Sequence, residues 1–198
     1  MDLSNKRIIL ASNSPRRKEL LGGLNIDFTV DTRNNFEENY RQDMPHAEVP
    51  AMMSEGKSMG FHRPLEKDEI LITSDTMVLC HGESNEQSPI LGKPHSREDA
   101  VRMLKLLSGR EHEVITAVTV RDCDHMVTRS DTTTVVFKEL TDEEISYYID
   151  NFKPFDKAGA YGIQEWIGYI GITGIRGSYF NVMGFPTHLV YEMLKEFE

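Results

Sequence analysis

An α/β fold is predicted for this chain because strand-like and helix-like segments alternate along its 198 residues. The first such pair is the clearest, since a strand predicted at residues 7–12, with an apolar run at 8–11, leads directly into a helix signal at 14–22. The length suits one large domain or two small lobes with a hydrophobic core. We expect a single domain over residues 1–198 and, if there are two lobes, crossovers near residues 30–40 and 140–155.

The remaining elements follow from hydrophobic spacing and from residues that start or stop helices. Strands are predicted at residues 70–73, 113–121 and 126–138, the last two as a hairpin around 122–125. Helices are predicted at 51–61, 96–107, 141–149 and 188–197. In the helix at 51–61, one side is formed by Met52, Gly56, Met59 and Gly60. Residues 80–89 are predicted to be an exposed polar loop, and 168–177 a short strand with turns.

The start of the first helix has the features of an anion site. Ser14 stands at the N-cap, and Pro15 fits the first helical position because its missing N–H would be unbonded there anyway. Arg16 and Arg17 follow in the first turn, where the helix dipole disfavours a cation unless an anion is also bound. Backbone N–H groups and two guanidinium groups then converge, which predicts a polyphosphate site. The alternative is that both arginines are solvated surface charges.

Carboxylates and lysines elsewhere suggest a bound cation and bound phosphates. Asp75 is expected at the carboxyl end of a short buried strand, where it could bind a hard cation, polarise a water or cap the strand. Glu37 and Glu38 offer a second carboxylate or form a solvated pair. Lys93 lies in a loop fixed by glycine and proline, and Lys57 lies at the border of an apolar helix face. Each lysine suits a phosphate, or is a solvated or snorkelling side chain.

Residues 156–164, DKAGAYGIQ, contain small side chains that let the backbone come close to a ligand. Gln164 ends this segment with an amide that is both a donor and an acceptor. That amide can bind the edge of a nucleotide base, but a rotated amide complements the reverse donor and acceptor pattern about as well unless neighbours lock it. The alternative is a tight turn with no ligand. Together, these features describe a nucleotide site with a divalent metal.

The composition argues against several other classes of protein. The net charge of −10 disfavours non-specific binding to nucleic acid or an anionic membrane, which needs a cationic face. No apolar run approaches 18 residues, and the N-terminus lacks the apolar core of a signal peptide. Cys80 and Cys123, with no Cys/His cluster, favour free thiols over a zinc site. We expect a cytoplasmic protein with no nucleic-acid or membrane partner.

Six segments, in matching order and spacing, carry a resemblance to a known family. They are LASNSPRRKELL (10–21), SDTMV (74–78), LGKP (91–94), MLKLLSGREHEVITAV (103–118), DKAGAYGIQ (156–164) and GSYFNVMGFP (177–186). The chain resembles the Maf family of nucleoside triphosphate pyrophosphatases, within the Maf/Ham1 (ITPase-like) superfamily, almost end to end. The resemblance implies an elongated mixed β-sheet with flanking helices and two lobes around a nucleotide cleft.

The resemblance also implies the reaction and the residues that carry it. The family hydrolyses the α–β phosphoanhydride of a nucleoside triphosphate, releasing monophosphate and pyrophosphate. By resemblance, Asp75 is the catalytic carboxylate, as general base or metal ligand. Glu38, with Glu37 as the alternative, matches an acidic position near a Mg²⁺ or Mn²⁺ ion. The phosphate-contacting positions match Ser12 or Ser14, Arg16, Arg17, Lys57 and Lys93. One branch of the family takes dTTP, UTP and related modified pyrimidine nucleotides. The residues that match this branch are Arg16, Thr76 and Gln164.

A second function, from a different class, is a nucleotide-binding regulator of cell division. Its effect on septum formation would not require hydrolysis. All the apparent catalytic positions of the family are filled in this chain, which favours the enzyme. The family's usual Gly-Ala before the aspartate is Thr73-Ser74 here, a change between small residues from which we expect little effect. A homodimer is among the assemblies that the resemblance allows.

Overall fold

The described part of the chain contains one mixed sheet of seven strands. The computed structural model describes residues 3–41, 43–80 and 89–198. The strands are β1 (Arg7–Leu10), β2 (Phe28–Val30), β3 (Glu69–Cys80), β4 (Ile90–Leu91), β5 (Glu111–Arg121), β6 (Met126–Phe137) and β7 (Ile172–Arg176). Their order is β2-β1-β3-β5-β6-β7, and β4 pairs with β3. Because β1 is parallel to β2 and β3 while β6 and β7 are antiparallel, the predicted mixed α/β sheet is confirmed.

Helices flank these strands. They are α1 (Pro15–Gly22), α2 (Val49–Met59), α3 (Arg97–Leu107), α4 (Asp142–Phe152), α5 (Trp166–Gly171), α6 (Tyr179–Val182) and α7 (Thr187–Leu194). Helices α1, α3 and α4 begin at the predicted capping residues, whereas α5 and α6 are not predicted. Thr141 and Glu144 form both hydrogen bonds of a capping box at the start of α4. Ser96 caps α3 by accepting a hydrogen bond from the backbone N–H of Asp99. Residues 168–177 are predicted to be a short strand with turns. They contain the end of α5 as well as β7.

Strand β3 is the largest departure from prediction. It was expected to stop at residue 73 and to present Asp75 at its carboxyl end, but it continues to Cys80 and Asp75 lies in its middle. The polar run Ser74–Asp75–Thr76 looked like the end of a strand. The strand continues because residues 77–80 are buried and pair with β4. The predicted loop at 80–89 lies, apart from its end residues, outside the described residues.

Helix α2 also differs from prediction in its start and in its buried face. It begins at Val49, because proline at position 50 is tolerated in the first turn. The side of the helix that carries Met52, Gly56 and Met59 is not its buried face, since Met59 is 67% exposed. The buried residues of α2 are Val49, Pro50, Met53, Ser54 and Ser58. Two buried serines on this face mean that hydrogen bonds, as well as apolar contacts, anchor the helix.

The chain divides into two compact units. The first unit is Met1–Asp75, Thr116–Asp131 and Gly184–Glu198, and the second is Thr76–Ile115 and Thr132–Met183. The chain passes from one unit to the other within β3, β5 and β6 and before Gly184, so the predicted crossovers near 30–40 and 140–155 are wrong. Three of the four crossings fall inside long strands, where no loop signal marks a boundary. The assignment of residues 1–198 to a single domain stays a prediction.

Candidate active site

The start of α1, in the first unit, has the cap that the sequence predicts. The Ser14 hydroxyl accepts a hydrogen bond from the backbone N–H of Arg17 at 3.4 Å. The backbone N–H of Ser14 in turn donates to the hydroxyl of Ser12 at 3.2 Å. Pro15 lies in the first turn, as predicted, and Arg16 is partly exposed beside it. The loop thus holds Ser12, Ser14 and both arginines at one helix N-terminus.

Arg17 is held by backbone carbonyls. Its Nε donates to the carbonyl of Gly184 at 2.9 Å, and its Nη1 donates to the carbonyl of Ser74 at 2.8 Å. Burial lowers the pKa of the Arg17 guanidinium, and the nearby carboxylate of Asp75 opposes that shift. The sequence indicated a phosphate ligand here and missed this bracing role. Because Arg17 bonds to the carbonyl of Ser74, it fixes the backbone directly before Asp75. A shift of Arg17 would therefore move Asp75.

Lys57 lies between two carboxylates of the first unit. Its Nζ is 2.5 Å from Oδ1 of Asp75 and 3.0 Å from Oε1 of Glu38. The Asp75 side chain is 14% exposed, whereas the Glu38 side chain is 63% exposed. Helix α2 and strand β3 therefore bring together three residues that the sequence had identified separately. It is Glu38, of the two adjacent glutamates, whose carboxylate reaches this ammonium.

The segment that carries Glu38 is packed on α2 through Asn34 and Phe36. The Asn34 side chain donates to the carbonyl of Lys57 at 2.5 Å and accepts from the backbone N–H of Phe36 at 2.7 Å. A Cβ atom at Gly56 would lie 2.3 Å from the Phe36 ring, so only glycine leaves room for it. Sequence reasoning missed this contact. The signal was the pair of glycines four residues apart, Gly56 and Gly60, on one side of α2.

Buried hydroxyl groups fix α2 to the sheet within the first unit. The Thr73 hydroxyl donates to the carbonyl of Ser54 at 2.7 Å, and the Thr119 hydroxyl donates to the Ser54 hydroxyl at 2.9 Å. Arg121 donates to both the hydroxyl and the carbonyl of Ser58, at 3.0 and 2.8 Å. Lys57 lies between these two serines in sequence. Its backbone is therefore held by polar contacts on both sides.

The second unit brings two of the predicted loops together. The backbone N–H of Gly159 donates to the carbonyl of Gly92 at 3.0 Å, which joins the loop of Lys93 to the segment DKAGAYGIQ. Gly159 has a φ of +70° and its missing side chain leaves room for Val78, whose Cγ2 would be 2.9 Å from a Cβ atom. Lys93 is exposed, and Thr76 is partly exposed on β3 directly after Asp75. Lys93 and Gln164 thus lie on two joined loops.

Gln164 is placed on a tight turn in the second unit. The backbone N–H of Glu165 donates to the carbonyl of Gly162 at 3.0 Å, so Ile163 and Gln164 are the central residues of a β-turn. The Oε1 atom of Gln164 is buried and accepts no hydrogen bond from the described residues. A buried acceptor without a donor is costly, which makes it a candidate contact for a ligand N–H.

Glu38 and Asp75 have the donor chemistry that a divalent cation needs. Both carboxylates already face a single positive charge, the ammonium of Lys57. Mg²⁺ is commonly held by one or two carboxylates, with waters and substrate phosphate oxygens as its other ligands. Within residues 3–41, 43–80 and 89–198, no group of three or more His, Cys, Asp and Glu could hold a metal ion. Two carboxylates on one ammonium thus offer part of a coordination shell for such a cation.

Comparison with protein families identifies the chain. The family model described as Maf-like protein matches residues 7–197. The chain belongs to the Maf family. The match spans nearly the whole sequence, so each of the two units contains residues of the family pattern. In the described residues of this Maf protein, no helix is long and apolar enough to span a membrane.

Curated relatives of this Maf protein have a named activity. A dTTP/UTP pyrophosphatase of Phocaeicola vulgatus is 48% identical over 98% of this chain and 98% of its own length. Proteins of the same name from Bacteroides thetaiotaomicron and Parabacteroides distasonis are each 45% identical, over 98% and 99% of this chain and 98% of their own lengths. A solved HAM1 protein from Coxiella burnetii is 11% identical, with a TM-score of 0.44, over 96% of this chain and 99% of that one. The first three comparisons bear on function, whereas the last is too distant to do so.

Proposed function

We propose that this protein hydrolyses dTTP and UTP to the nucleoside monophosphate and pyrophosphate. Relatives at 43–48% identity over nearly the full length bear the name dTTP/UTP pyrophosphatase. The observation that carries the proposal is the placement of Lys57 between Glu38 and Asp75, with Arg17 bonded to the carbonyl before Asp75. Opposite charges that converge in this way suit a substrate that brings several negative charges and a divalent cation.

Each site residue has a task in this proposal. Water attacks the α-phosphorus, its proton passes to Asp75, and the bond to the bridging oxygen breaks so that pyrophosphate leaves. A general base of this kind is worth about 10²–10⁴ in rate. The amide of Gln164 binds the base, and Thr76 and Arg16 contribute to the choice of nucleotide. The remaining residues, which neutralise or hydrogen-bond the phosphates, are Ser12, Ser14, Arg17, Lys57 and Lys93.

A divalent cation would be held by Glu38 and Asp75. Mg²⁺ or Mn²⁺ supplies charge neutralisation on the phosphate oxygens and lowers the pKa of a bound water. Asp75 has one oxygen on Lys57, so its other oxygen is left for the cation or the water. This arrangement orients the carboxylate before the substrate arrives.

A panel of nucleoside triphosphates tests the proposal directly. Purified protein with Mg²⁺ or Mn²⁺ is given UTP, dTTP, CTP, ATP and GTP, together with modified uridine triphosphates, and both pyrophosphate and orthophosphate are measured. We expect pyrophosphate as the primary product, with the highest kcat/KM for dTTP and UTP. Orthophosphate as the sole primary product would overturn the proposed cleavage position.

Asp75→Asn is the matched control for this panel. Asparagine keeps the size of the side chain but cannot take up the proton, so we expect turnover to be lost. Calorimetric titration should still detect UTP binding, since Lys57 and Arg17 are unchanged. Full activity of the variant would remove Asp75 from the reaction. A variant that binds UTP without turnover would also allow hydrolysis to be separated from any regulatory effect on cell division, a role that the names of the relatives do not favour.

The proposal includes a cytoplasmic location and a homodimer. Both cysteines are free thiols, Cys80 buried and Cys123 exposed, which suits a reducing compartment. The net charge of −10 opposes a nucleic-acid or anionic-membrane partner. Sedimentation at several protein concentrations tests the dimer, and fractionation of cells tests the location.

A further inference from the structure

The turn that presents Gln164 is tied at both ends by one phenol. Tyr148, on α4, accepts a hydrogen bond from the backbone N–H of Gly162 at 2.9 Å. The same hydroxyl donates to Oε2 of Glu165. Gly162 and Glu165 are the first and last residues of the β-turn, so one side chain spans it. Tyr148 itself has no exposed surface, which leaves its hydroxyl little freedom to choose other partners.

A buried ion pair holds the other oxygen of Glu165. The ammonium of Lys157 lies 3.0 Å from Oε1 of Glu165 and 2.7 Å from Oδ1 of Asp156, with only 9% of the lysine side chain exposed. Both carboxylate oxygens of Glu165 are thus engaged, one by a phenol and one by an ammonium. Breaking either contact would leave a charge with poor access to water, which is unfavourable. The network therefore resists any shift of the turn.

The phenol of Tyr148 keeps its proton at every pH at which the protein would work. Burial raises its pKa, and the hydrogen bond to Glu165 raises it further. The hydroxyl therefore donates to Glu165 and accepts from Gly162 under all those conditions. These two hydrogen bonds therefore hold the turn at every working pH and do not change with protonation of the phenol.

The two hydrogen bonds of Tyr148 fix the backbone from which the amide of Gln164 extends. Uracil and thymine present an N3–H donor, which the buried, unpartnered Oε1 can accept. Cytosine presents an acceptor at N3, so Oε1 would face another lone pair unless the amide turned over. Resting on the proposed function, we propose that Tyr148 and Glu165 are positioning residues that lock Gln164 and so set the preference for uracil and thymine over cytosine.

The test compares UTP with CTP in Tyr148→Phe. Phenylalanine keeps the ring but removes the hydroxyl, which frees both ends of the turn and lets Gln164 shift so that its amide can present either edge to the base. We expect the ratio of kcat/KM for UTP to that for CTP to fall about tenfold, the usual effect of a single mismatched buried hydrogen bond. Hydrogen exchange of the backbone N–H groups of residues 162–165 should also become faster. A uniform loss of folded protein would leave the ratio unchanged.

Tyr147→Phe is the matched control, since Tyr147 is the adjacent residue and is 50% exposed. It should leave both the ratio and the exchange rates as in the wild type. If Tyr148→Phe does not fold, Glu165→Gln replaces it, because the amide breaks the pair with Lys157 and weakens the bond from Tyr148. For that variant we expect a fall of about threefold.

One outcome would overturn the inference and another would strike the proposed function instead. An unchanged UTP to CTP ratio in folded protein overturns the inference, whether or not the activity on both nucleotides falls and whether or not exchange at residues 162–165 becomes faster. If the wild type releases no pyrophosphate from UTP, the proposed function is wrong and the role in base selection is lost with it. The exchange measurement would still report whether Tyr148 braces the turn.

Discussion

Lys57 carries a positive charge that two carboxylates share. Its ammonium is 2.5 Å from Asp75 and 3.0 Å from Glu38, and its side chain is 20% exposed. Removing that charge would leave the partly buried Asp75 and the exposed Glu38 without the cation between them, and the two like charges would repel each other. The lysine thus holds together the two groups that we propose as metal ligands. It also occupies a position between them that would suit a cation.

Lys57→Met should therefore change metal binding and turnover in opposite directions. Methionine preserves most of the side-chain length without the charge, so the two carboxylates are left to attract a divalent cation. We expect the free protein to bind Mn²⁺ more tightly, as measured by electron paramagnetic resonance. Turnover of UTP should fall about a hundredfold, the usual cost of removing one group that stabilises developing charge on a phosphate.

Lys105→Met is the control for this variant, because Lys105 forms an exposed ion pair with Asp142 and its side chain is 52% exposed. It should match the wild type in both measurements. Weaker Mn²⁺ binding by Lys57→Met would contradict the view that the lysine and the cation share the same carboxylates.

At the scale of elements, helix α2 is positioned by polar contacts on one side and by an aromatic ring on another. Ser54 and Ser58 bond to the strands, while Phe36 lies against Gly56. The carbonyl of Gly60 also accepts a hydrogen bond from the backbone N–H of Asn35 at 2.8 Å. The irregular segment before Glu38 therefore behaves as part of the helix surface. This segment can pack against α2 only because Gly56 has no side chain.

Gly56→Ala should displace that segment. The added Cβ would lie 2.3 Å from the Phe36 ring, so the ring must leave the helix. We expect the free energy of unfolding to fall by about 1–3 kcal/mol, as for other overpacked contacts. Turnover should fall as well, since Glu38 lies two residues from Phe36. Chemical denaturation and the UTP assay measure the two effects.

Gly22→Ala is the matched control for this change. Its added Cβ would meet nothing nearer than a Phe28 ring atom at 4.0 Å, and the residue lies at the end of α1. Stability should stay within the small range of helix propensity. If Gly56→Ala were as stable and active as this control, the ring would not be what positions Glu38.

The sequence predicts those elements whose signals are local. The capping residues of α1, α3 and α4 each bond to a backbone N–H a few positions away, so spacing alone reveals them. The buried face of α2 and the length of β3 depend on partners far along the chain, such as Thr119 and β4. In the same way, Asp75 and Lys93 could be identified as candidates from their neighbours. The contacts of Lys57 with Glu38 and of Tyr148 with Glu165 could not.

At the scale of the whole molecule, acidic residues outnumber basic ones, 32 to 22, and the isoelectric point is about 5.2. Acidification from neutral pH first reduces the negative charge and relieves self-repulsion. It also protonates carboxylates that depend on arginine partners. Glu69, at the start of β3, is the clearest of these, since its side chain is only 2% exposed and lies 2.6 Å from Arg63. Its backbone neighbour in the sheet is Arg7.

Glu69 should make stability sensitive to acid. Hydrogen bonds from Arg63 hold the pKa of Glu69 below its ordinary value of 4.5, so the unfolded chain binds the proton more readily than the folded one. The stabilisation is complete above pH 4.5 and is lost as the pH falls through the folded pKa. Glu69→Gln should therefore lose about 1–3 kcal/mol at pH 7 and converge with the wild type in acid. Urea denaturation at several pH values measures the difference, in which the effect of overall charge largely cancels. Glu139→Gln makes the same charge change at an exposed position, so its free energy of unfolding should follow that of the wild type at every pH. If Glu69→Gln stays less stable than the wild type at low pH, packing and not the ionised carboxylate supplies the stability.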